Sequence, residues 1–200
     1  MSAKLFEADI LFLQRILAVS GLYKGPLNGK FTADVDAAEQ AFEAKYEEIK
    51  TQHGAFDTRT ESNIRTLIPA AQIKAREFMN AVAGLPLTYR FLSGTRTYAE
   101  QDALAAKKPK VTNAKGGQSN HNFGIAWDVG IFEGGKYYTG ATKKETKAYA
   151  DLGALITSKV SGLEWGGNWK TFVDMPHYQL ALGKSVKELR ALLEKGKPFS

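Results

Sequence analysis

Residues 119–128 read SNHNFGIAWD, and a second stretch, residues 164–177, reads EWGGNWKTFVDMPH. Two of the three histidines of the chain lie in these stretches, as His121 and His177. Together with Asp128 they supply two imidazoles and one carboxylate. Zn²⁺ accepts such nitrogen and oxygen ligands in catalytic sites that keep a fourth position for water. The two stretches therefore predict a zinc site formed by His121, Asp128 and His177.

The residues around the first stretch predict a turn that runs into a strand. Gly124 permits a tight backbone path, and large apolar side chains alternate over residues 125–132. Asp128 then lies in the strand, and His121 lies in the turn before it. By itself, a histidine with an aspartate seven residues later is more typical of a buried, hydrogen-bonded histidine. The second stretch, which leads from a loop into a strand at His177, favours the metal site.

Composition limits the class of protein. The 200 residues include no cysteine, so disulfides are excluded, and the length suits one main domain with a small accessory module. Polar residues interrupt the apolar stretch of residues 1–21, so we expect neither a signal peptide nor a membrane span, and a protein made in the cytoplasm.

The net charge is +6, with much of the excess in residues 184–197. This tail is either a solvated basic helix or a surface that attracts anionic cell-envelope polymers. The charge lacks the interleaved aromatic residues and the helix-turn-helix pattern of nucleic-acid binding, so we expect no nucleic acid partner. We expect a monomer.

The N-terminal third predicts three short helices. The first has an apolar face and ends at Gly21, a turn follows at residues 25–31 (GPLNGKF), and Thr32 caps the second helix. The sequence TRTE at residues 58–61 has the pattern of a capping box for the third helix, and Pro69 closes the unit.

This order of elements resembles the small three-helix peptidoglycan-binding domain. Gln14, the turn at residues 25–31 and Phe42 occupy the places of that pattern. The resemblance implies a module of residues 1–68 followed by a catalytic domain of residues 69–200. The module either tethers the protein to the cell wall or only stabilises the catalytic domain.

Residues 70–82 have the periodicity of an amphipathic helix, and residues 87–92 have the content of a strand. The sequence SGTR at residues 93–96 follows the end of that strand, and a helix is expected over residues 98–107. An arginine at the end of a strand is well placed to project into a cleft, and this makes Arg96 a candidate site residue.

These motifs together resemble zinc peptidases that include D-alanyl-D-alanine carboxypeptidases and phage-type L-alanyl-D-glutamate endopeptidases. The family pattern is Ser-x-His-x-x-Gly-x-Ala-x-Asp, followed by Trp-Gly-Gly-x-Trp and Asp-x-Pro-His, and the chain fits every fixed position. An upstream Ser-Gly-x-Arg element is also present. The resemblance covers residues 70–182 and implies an α+β fold, in which a small antiparallel sheet carries the metal and helices lie on one face.

The resemblance also implies roles for individual side chains. Asp174 is expected to be the general base, with the orientation of His177 as its alternative role and Glu164 as the alternative base. Arg96 would stabilise the oxyanion of the tetrahedral intermediate. Ser119 binds substrate or supports the neighbouring histidine. The two tryptophans of the second stretch, Trp165 and Trp169, either belong to the core or line a substrate groove.

Within this family, the expected lack of a signal peptide, the small size and the N-terminal module resemble a bacteriophage endolysin. Such an antimicrobial enzyme stays in the host cytoplasm until lysis, and then cleaves peptidoglycan between L-Ala and D-Glu. Two alternatives are a D-Ala-D-Ala carboxypeptidase and a wall-binding protein whose zinc site does not turn over.

Overall fold

The computed structural model describes residues 6–109 and 111–199, and residues 1–5 of the predicted N-terminal module lie outside them. Within the described residues there are seven α-helices and five β-strands. The helices are α1 (Glu7–Val19), α2 (Ala33–His53), α3 (Thr58–Ile64), α4 (Pro69–Ala81), α5 (Tyr98–Ala106), α6 (Lys143–Lys159) and α7 (Val186–Glu194). The strands are β1 (Thr88–Ser93), β2 (Ala126–Glu133), β3 (Lys136–Tyr137), β4 (Leu163–Trp165) and β5 (His177–Leu180).

The five strands form a single antiparallel sheet. Four of them lie in the order β1-β2-β5-β4, and β3 pairs with β2 as the second arm of a short hairpin. The predicted α+β class is confirmed, and the strands expected at residues 87–92 and 125–132 are present within one residue of the predicted bounds. Strand β2 lies between β1 and β5, so its residues face neighbours on both sides.

One face of this sheet is apolar. Phe91, Trp127 and Tyr178 all point to it, because Trp127 and Tyr178 are register partners and the ring of Phe91 stacks on that of Trp127 at 5.6 Å between centroids. Phe78 of α4 packs against this face, with its ring centroid 4.8 Å from that of Tyr178. All four side chains are fully buried. Since side chains alternate along a strand, the residues between them point to the opposite face.

Helix α6 lies against the same apolar face at β4. A Cβ added to Gly153 in α6 would come within 2.4 Å of the indole of Trp165. Glycine at this position is what allows the helix backbone to approach the tryptophan so closely.

The described residues divide into two compact units. The first contains the described residues of 1–48, 96–124 and 182–200, and the second contains residues 49–95 and 125–181. The sheet belongs entirely to the second unit, together with α3, α4 and α6.

The predicted domain boundary divides the sequence between residues 1–68 and residues 69–200, and it stays a prediction. The third helix of the predicted module, α3, is bonded to the sheet. Asn63 Nδ2 donates to the Phe91 carbonyl at 3.1 Å, and the Phe91 amide donates to Thr60 Oγ1 at 3.2 Å. In space, therefore, α3 groups with the sheet of the second unit.

In the first unit, a buried glutamine holds the turn at residues 25–31. Gln14 Oε1 accepts hydrogen bonds from the amides of Asn28 and Gly29, both at 2.9 Å, and Gln14 Nε2 donates to the Lys30 carbonyl at 3.0 Å. Gly29 has φ +70°, and a Cβ there would lie 2.7 Å from the backbone oxygen of Glu7. This glycine and this glutamine are thus both required for the turn.

The basic C-terminal tail forms helix α7, which begins with a capping box between Ser185 and Glu188. Leu189 and Leu193 are buried on one face of the helix. The tail is therefore packed through an apolar face, and its charged side chains occupy the other positions.

Two helix starts differ from the sequence prediction. The residue that caps α3 is Asp57 rather than Thr58, and its carboxylate accepts from the amides of Arg59 and Thr60. An aspartate accepts these bonds one position earlier than the predicted capping box. Helix α4 begins at Pro69, one residue before the predicted start, and the missing amide hydrogen of proline is tolerated at this first position.

Candidate metal centre

Two of the predicted ligands face each other across the β2–β5 pair. Asp128 and His177 are register partners, so both side chains point to the face opposite the apolar one. His177 Nδ1 lies 3.4 Å from Asp128 Oδ1. The antiparallel register alone thus brings together an imidazole and a carboxylate that are 49 positions apart in the chain.

The second oxygen of Asp128 has its own donor. The register of the β1–β2 pair shifts between Phe91 and Ser93. This irregularity in β1 makes Ser93 the partner of Asp128. Ser93 Oγ donates to Asp128 Oδ2 at 2.5 Å. The serine of the SGTR sequence therefore orients the carboxylate, a role that the sequence pattern does not indicate.

The other nitrogen of His177 is also hydrogen-bonded. His177 Nε2 lies 2.9 Å from Gln179 Oε1, and Gln179 Nε2 donates to Glu164 Oε2 at 2.8 Å. Glu164 and Gln179 are register partners of β4 and β5. The polar face of the sheet therefore carries a continuous chain of bonds from Glu164 to His177.

The surroundings of His177 act on its pKa in opposite directions. Burial lowers the pKa of this imidazole, but the hydrogen bond and the charge of Asp128, together with Gln179, outweigh burial and raise it. The direction of the net shift reflects a carboxylate aimed at the ring.

The third predicted ligand, His121, lies in a 3-10 helical turn at residues 120–123. Its side chain is 1% exposed. Its carbonyl accepts from the Arg96 amide at 3.0 Å, and Gly124 ends the turn with φ +70°. A left-handed residue at this place lets the chain leave the turn and enter β2 directly.

The side chain of Asn122 braces this turn. Its Oδ1 accepts from the amides of Gly117 and Ser119 at 2.9 and 3.3 Å, and its Nδ2 donates to the Arg96 carbonyl at 2.9 Å. Asn122 is fully buried. Every one of these partners is a backbone group, so the role of this asparagine is to hold the loop that carries the predicted ligand.

The ligand atoms of His121, Asp128 and His177 all lie within 4.8 Å of one another. Such a group can hold a metal ion, and two imidazoles with one carboxylate are donors that suit Zn²⁺. The third histidine, His53, is the last residue of α2.

The WGG sequence supports the turn that precedes His177. A Cβ on Gly166 would lie 2.5 Å from the Asp174 carbonyl oxygen and 3.1 Å from His177 Cβ. The Asp174 amide donates to the Gly166 carbonyl at 3.1 Å. Glycine is therefore needed at this position so that the turn with Asp174 can lie directly against β4.

The two tryptophans of this stretch have different environments. Trp165 is 8% exposed, and its Nε1 donates to the Met175 carbonyl at 2.8 Å, so it braces the same turn from the core side. Trp169 is partly exposed, and its ring centroid lies 4.9 Å from that of His177. Substrate contact stays a prediction for both, and the exposure favours Trp169.

The remaining predicted site residues are partly exposed side chains: Arg96, Ser119 and Asp174. Ser119 accepts from the Asn122 amide through its carbonyl at 2.9 Å and so starts the turn of His121. The catalytic and substrate-binding roles of all three stay predictions.

Sequence reasoning missed three supporting residues, Ser93, Asn122 and Gln179. A signal existed for the last one, since Gln179 lies two positions after His177 in a strand and therefore shares its face. The other two depend on a strand irregularity and on backbone partners, which no spacing in the sequence reveals.

Comparisons with known proteins find a family, a relative and a solved structure that are similar to this chain. Residues 112–180 match the family described as D-alanyl-D-alanine carboxypeptidase. The peptidoglycan L-alanyl-D-glutamate endopeptidase CwlK of Bacillus subtilis (strain 168) is 31% identical over 122 residues, which make up 57% of this chain and 73% of that protein. A solved structure, the L-Ala D-Glu endopeptidase ChiX of Serratia marcescens, has 25% identity and a TM-score of 0.48, and the match covers 62% of this chain and 88% of that one.

The chain belongs to the metallopeptidase family of the D-alanyl-D-alanine carboxypeptidases and L-alanyl-D-glutamate endopeptidases. The resemblance deduced from the motifs is thereby confirmed. The family is in general zinc-dependent, and the group of His121, Asp128 and His177 lies within the matched residues. Among the helices of the described residues, none has the length and apolar character needed to cross a membrane.

Proposed function

We propose that the protein is a zinc-dependent peptidase that cleaves the stem peptide of bacterial peptidoglycan between L-Ala and D-Glu. The observation that carries this proposal is the grouping of His121, Asp128 and His177 in a chain of this family. The bond is proposed from the named activity of the Bacillus subtilis relative, of which the chain covers 73%.

We assign the metal to these three side chains. The donor set fits zinc, because it combines two imidazole nitrogens with a carboxylate and contains no thiolate. Bound there, zinc would lower the pKa of a water molecule to near neutrality and act as a Lewis acid on the scissile carbonyl. Burial restricts the orientations of the two histidines, and the hydrogen bond from Ser93 restricts that of Asp128.

Asp174 is proposed to accept the proton of the attacking water and to return it to the leaving amine. Its position supports this role, because its carbonyl accepts from the His177 amide at 3.2 Å and its turn is held against Gly166. The carboxylate thus belongs to a short, braced segment that ends at a ligand.

Arg96 is proposed to neutralise the oxyanion that forms on the carbonyl oxygen during attack. Its backbone is bonded on both sides, by its amide to His121 and by its carbonyl to Asn122, so the guanidinium extends from a fixed point. We further propose that Ser119, Trp165 and Trp169 contact the substrate, with Trp169 as the more exposed of the two rings.

Removal of terminal D-Ala is a second candidate, and the description of the matched family favours it. Both reactions use the same ligands and the same base. A binding protein without turnover is the third reading, and the presence of a carboxylate at Asp174 argues against it.

The biological setting is a further part of the proposal. We propose a bacteriophage endolysin that accumulates in the host cytoplasm, reaches the cell wall at host lysis and acts as a monomer with antimicrobial effect. The charge of +6 supports attraction to anionic envelope polymers, and the turn held by Gln14 supports a wall-binding role for the N-terminal residues. Addition of the protein to cells with and without a permeabilised outer layer tests this setting, since lysis confined to the permeabilised cells is expected.

Digestion of purified sacculi, followed by mass spectrometry of the new termini, tests the reaction. New D-Glu amino termini are expected, whereas free D-Ala would identify the carboxypeptidase and the absence of any product would favour the binding protein. Asp174→Asn should lower the rate by about 10²–10⁴-fold while zinc content is kept. The matched control is Asp151→Asn, an exposed carboxylate of α6 that pairs with Lys147.

A further inference from the structure

Three polar side chains form a directed chain of hydrogen bonds along the β4–β5 pair. Glu164 is exposed, whereas Gln179 and His177 are 8% and 5% exposed. The chain leads from a carboxylate at the surface, through a buried amide, to the imidazole of a proposed metal ligand. This arrangement is distinct from the bonds of Asp174, which involve the turn before the ligand.

The direction of each bond follows from the chemistry of the groups. A carboxylate can only accept, so Gln179 must turn its NH₂ group to Glu164. The oxygen of the same amide is then the atom that faces His177, and an amide oxygen also only accepts. Nε2 of His177 can therefore bond to this amide only as a donor, so the bond is kept only when Nε2 carries hydrogen.

The position of the ring hydrogen decides which nitrogen of His177 can bind a metal. A neutral imidazole with hydrogen on Nε2 has its lone pair on Nδ1, and Nδ1 is the nitrogen that faces Asp128. The opposite orientation of the amide would place a donor against Nε2 and would move the hydrogen to Nδ1. In that state the ring would present an N–H group to the place where a metal is bound.

We propose that Glu164 and Gln179 are positioning residues that fix the tautomer of His177, so that Nδ1 is the nitrogen offered to the metal. The proposal rests on the metal site assigned above. It also gives Glu164 a role other than that of the general base, because its oxygen is engaged with the amide of Gln179.

The tautomer is measured in the metal-free protein by long-range ¹H–¹⁵N NMR of the histidine rings at alkaline pH. Wild type is expected to show His177 with hydrogen on Nε2, because the contact of Nε2 with Gln179 at 2.9 Å is shorter than that of Nδ1 with the competing Asp128 carboxylate at 3.4 Å. In Glu164→Gln the new amide can accept or donate, so the Gln179 side chain loses its fixed orientation and the Nδ1–H form should appear. An unchanged tautomer in Glu164→Gln would overturn the proposal.

Zinc affinity, measured by competition with a chelator, gives a second readout. Glu164→Gln should weaken zinc binding by about tenfold, since loss of a hydrogen-bond partner behind a ligand typically costs 10–100-fold. The matched control is Glu133→Gln, another exposed carboxylate of the same unit, whose partners are Lys144 and Tyr138. Equal losses in both variants would overturn the proposal.

Exchanging the side chains at positions 164 and 179 tests whether the direction of the hydrogen bonds, and not only their presence, determines the tautomer of His177. In the double variant Glu164→Gln, Gln179→Glu, the new amide at 164 donates to the new carboxylate at 179, and this carboxylate accepts from His177 Nε2. The Nε2–H tautomer should return, and most of the tenfold loss should be recovered. A double variant that binds zinc as weakly as Glu164→Gln, while it melts at the wild-type temperature, would contradict the proposal.

The NMR result distinguishes this inference from the proposed function. If the tautomers behave as described but wild type neither binds zinc nor releases fragments from sacculi, the proposed function fails and the positioning role stands.

Discussion

Two buried glutamines each form several hydrogen bonds through the side-chain amide, in different parts of the molecule. Gln14 binds the amides of Asn28 and Gly29 and holds a backbone turn, whereas Gln179 binds the ring of His177 and the carboxylate of Glu164. The partners of the first are backbone groups and one side-chain amide oxygen, that of Asn28, whereas those of the second are an imidazole and a carboxylate. The comparison indicates that the first glutamine serves stability and the second serves the metal centre.

The largest effect is expected from the ligand that Gln179 holds. His177→Ala removes one of three metal donors, so zinc content and peptidoglycan cleavage should both fall to background. Elemental analysis and sacculus digestion measure the two losses. A variant that kept both would show that the ring serves only the packing of β5.

Gln14→Leu should affect stability and leave the metal centre unchanged. It leaves the amides of Asn28 and Gly29 without their acceptor, at a cost of about 1–3 kcal/mol for each one that stays buried. Urea unfolding of the metal-free protein measures this loss. A fall in zinc affinity comparable to that of Glu164→Gln would break the distinction between the two glutamines.

Gly166→Ala probes the turn that carries Asp174. The added Cβ would meet the Asp174 carbonyl oxygen at 2.5 Å, so the turn must shift, at a cost of about 1–3 kcal/mol. We expect the rate of peptidoglycan cleavage to fall by more than the loss of stability, measured as the decrease in melting temperature, can explain. Gly84→Ala is the control, because its positive φ is strained but its Cβ would meet no atom within 4 Å. Equal effects on rate in the two variants would contradict a positioned Asp174.

Ser93→Ala should give the smallest effect of the four. It removes the donor to Asp128 Oδ2 but leaves the carboxylate in register with His177. Zinc affinity should fall by about tenfold or less, at the lower end of the range for partners of metal ligands. Chelator competition measures it against Ser158→Ala, whose hydroxyl bonds only its own helix. No difference between the two would remove Ser93 from the site.

The sequence predicted the parts of the site that depend on local patterns. Alternation placed Asp128 in a strand, and the two histidine motifs identified the proposed ligands. The turn at residues 25–31 was also predicted, because glycine, proline and asparagine determine backbone conformation locally. These features require only neighbours in the chain.

What the sequence did not predict depends on backbone geometry and on partners that no local pattern indicates. The role of Ser93 depends on an irregularity in the pairing of β1, and that of Asn122 on carbonyl and amide groups 5 and 26 positions away. The cap of α3 was assigned to Thr58, because Asp57 and Thr58 both suit the position and only the backbone geometry decides between them.

The most direct test of the account is a zinc titration of the chelated protein, with release of peptidoglycan fragments that carry new D-Glu amino termini as the measured quantity. The account predicts no release without metal and full release at one zinc per chain. Release that is unaffected by chelation, or no release at any zinc concentration, would contradict it.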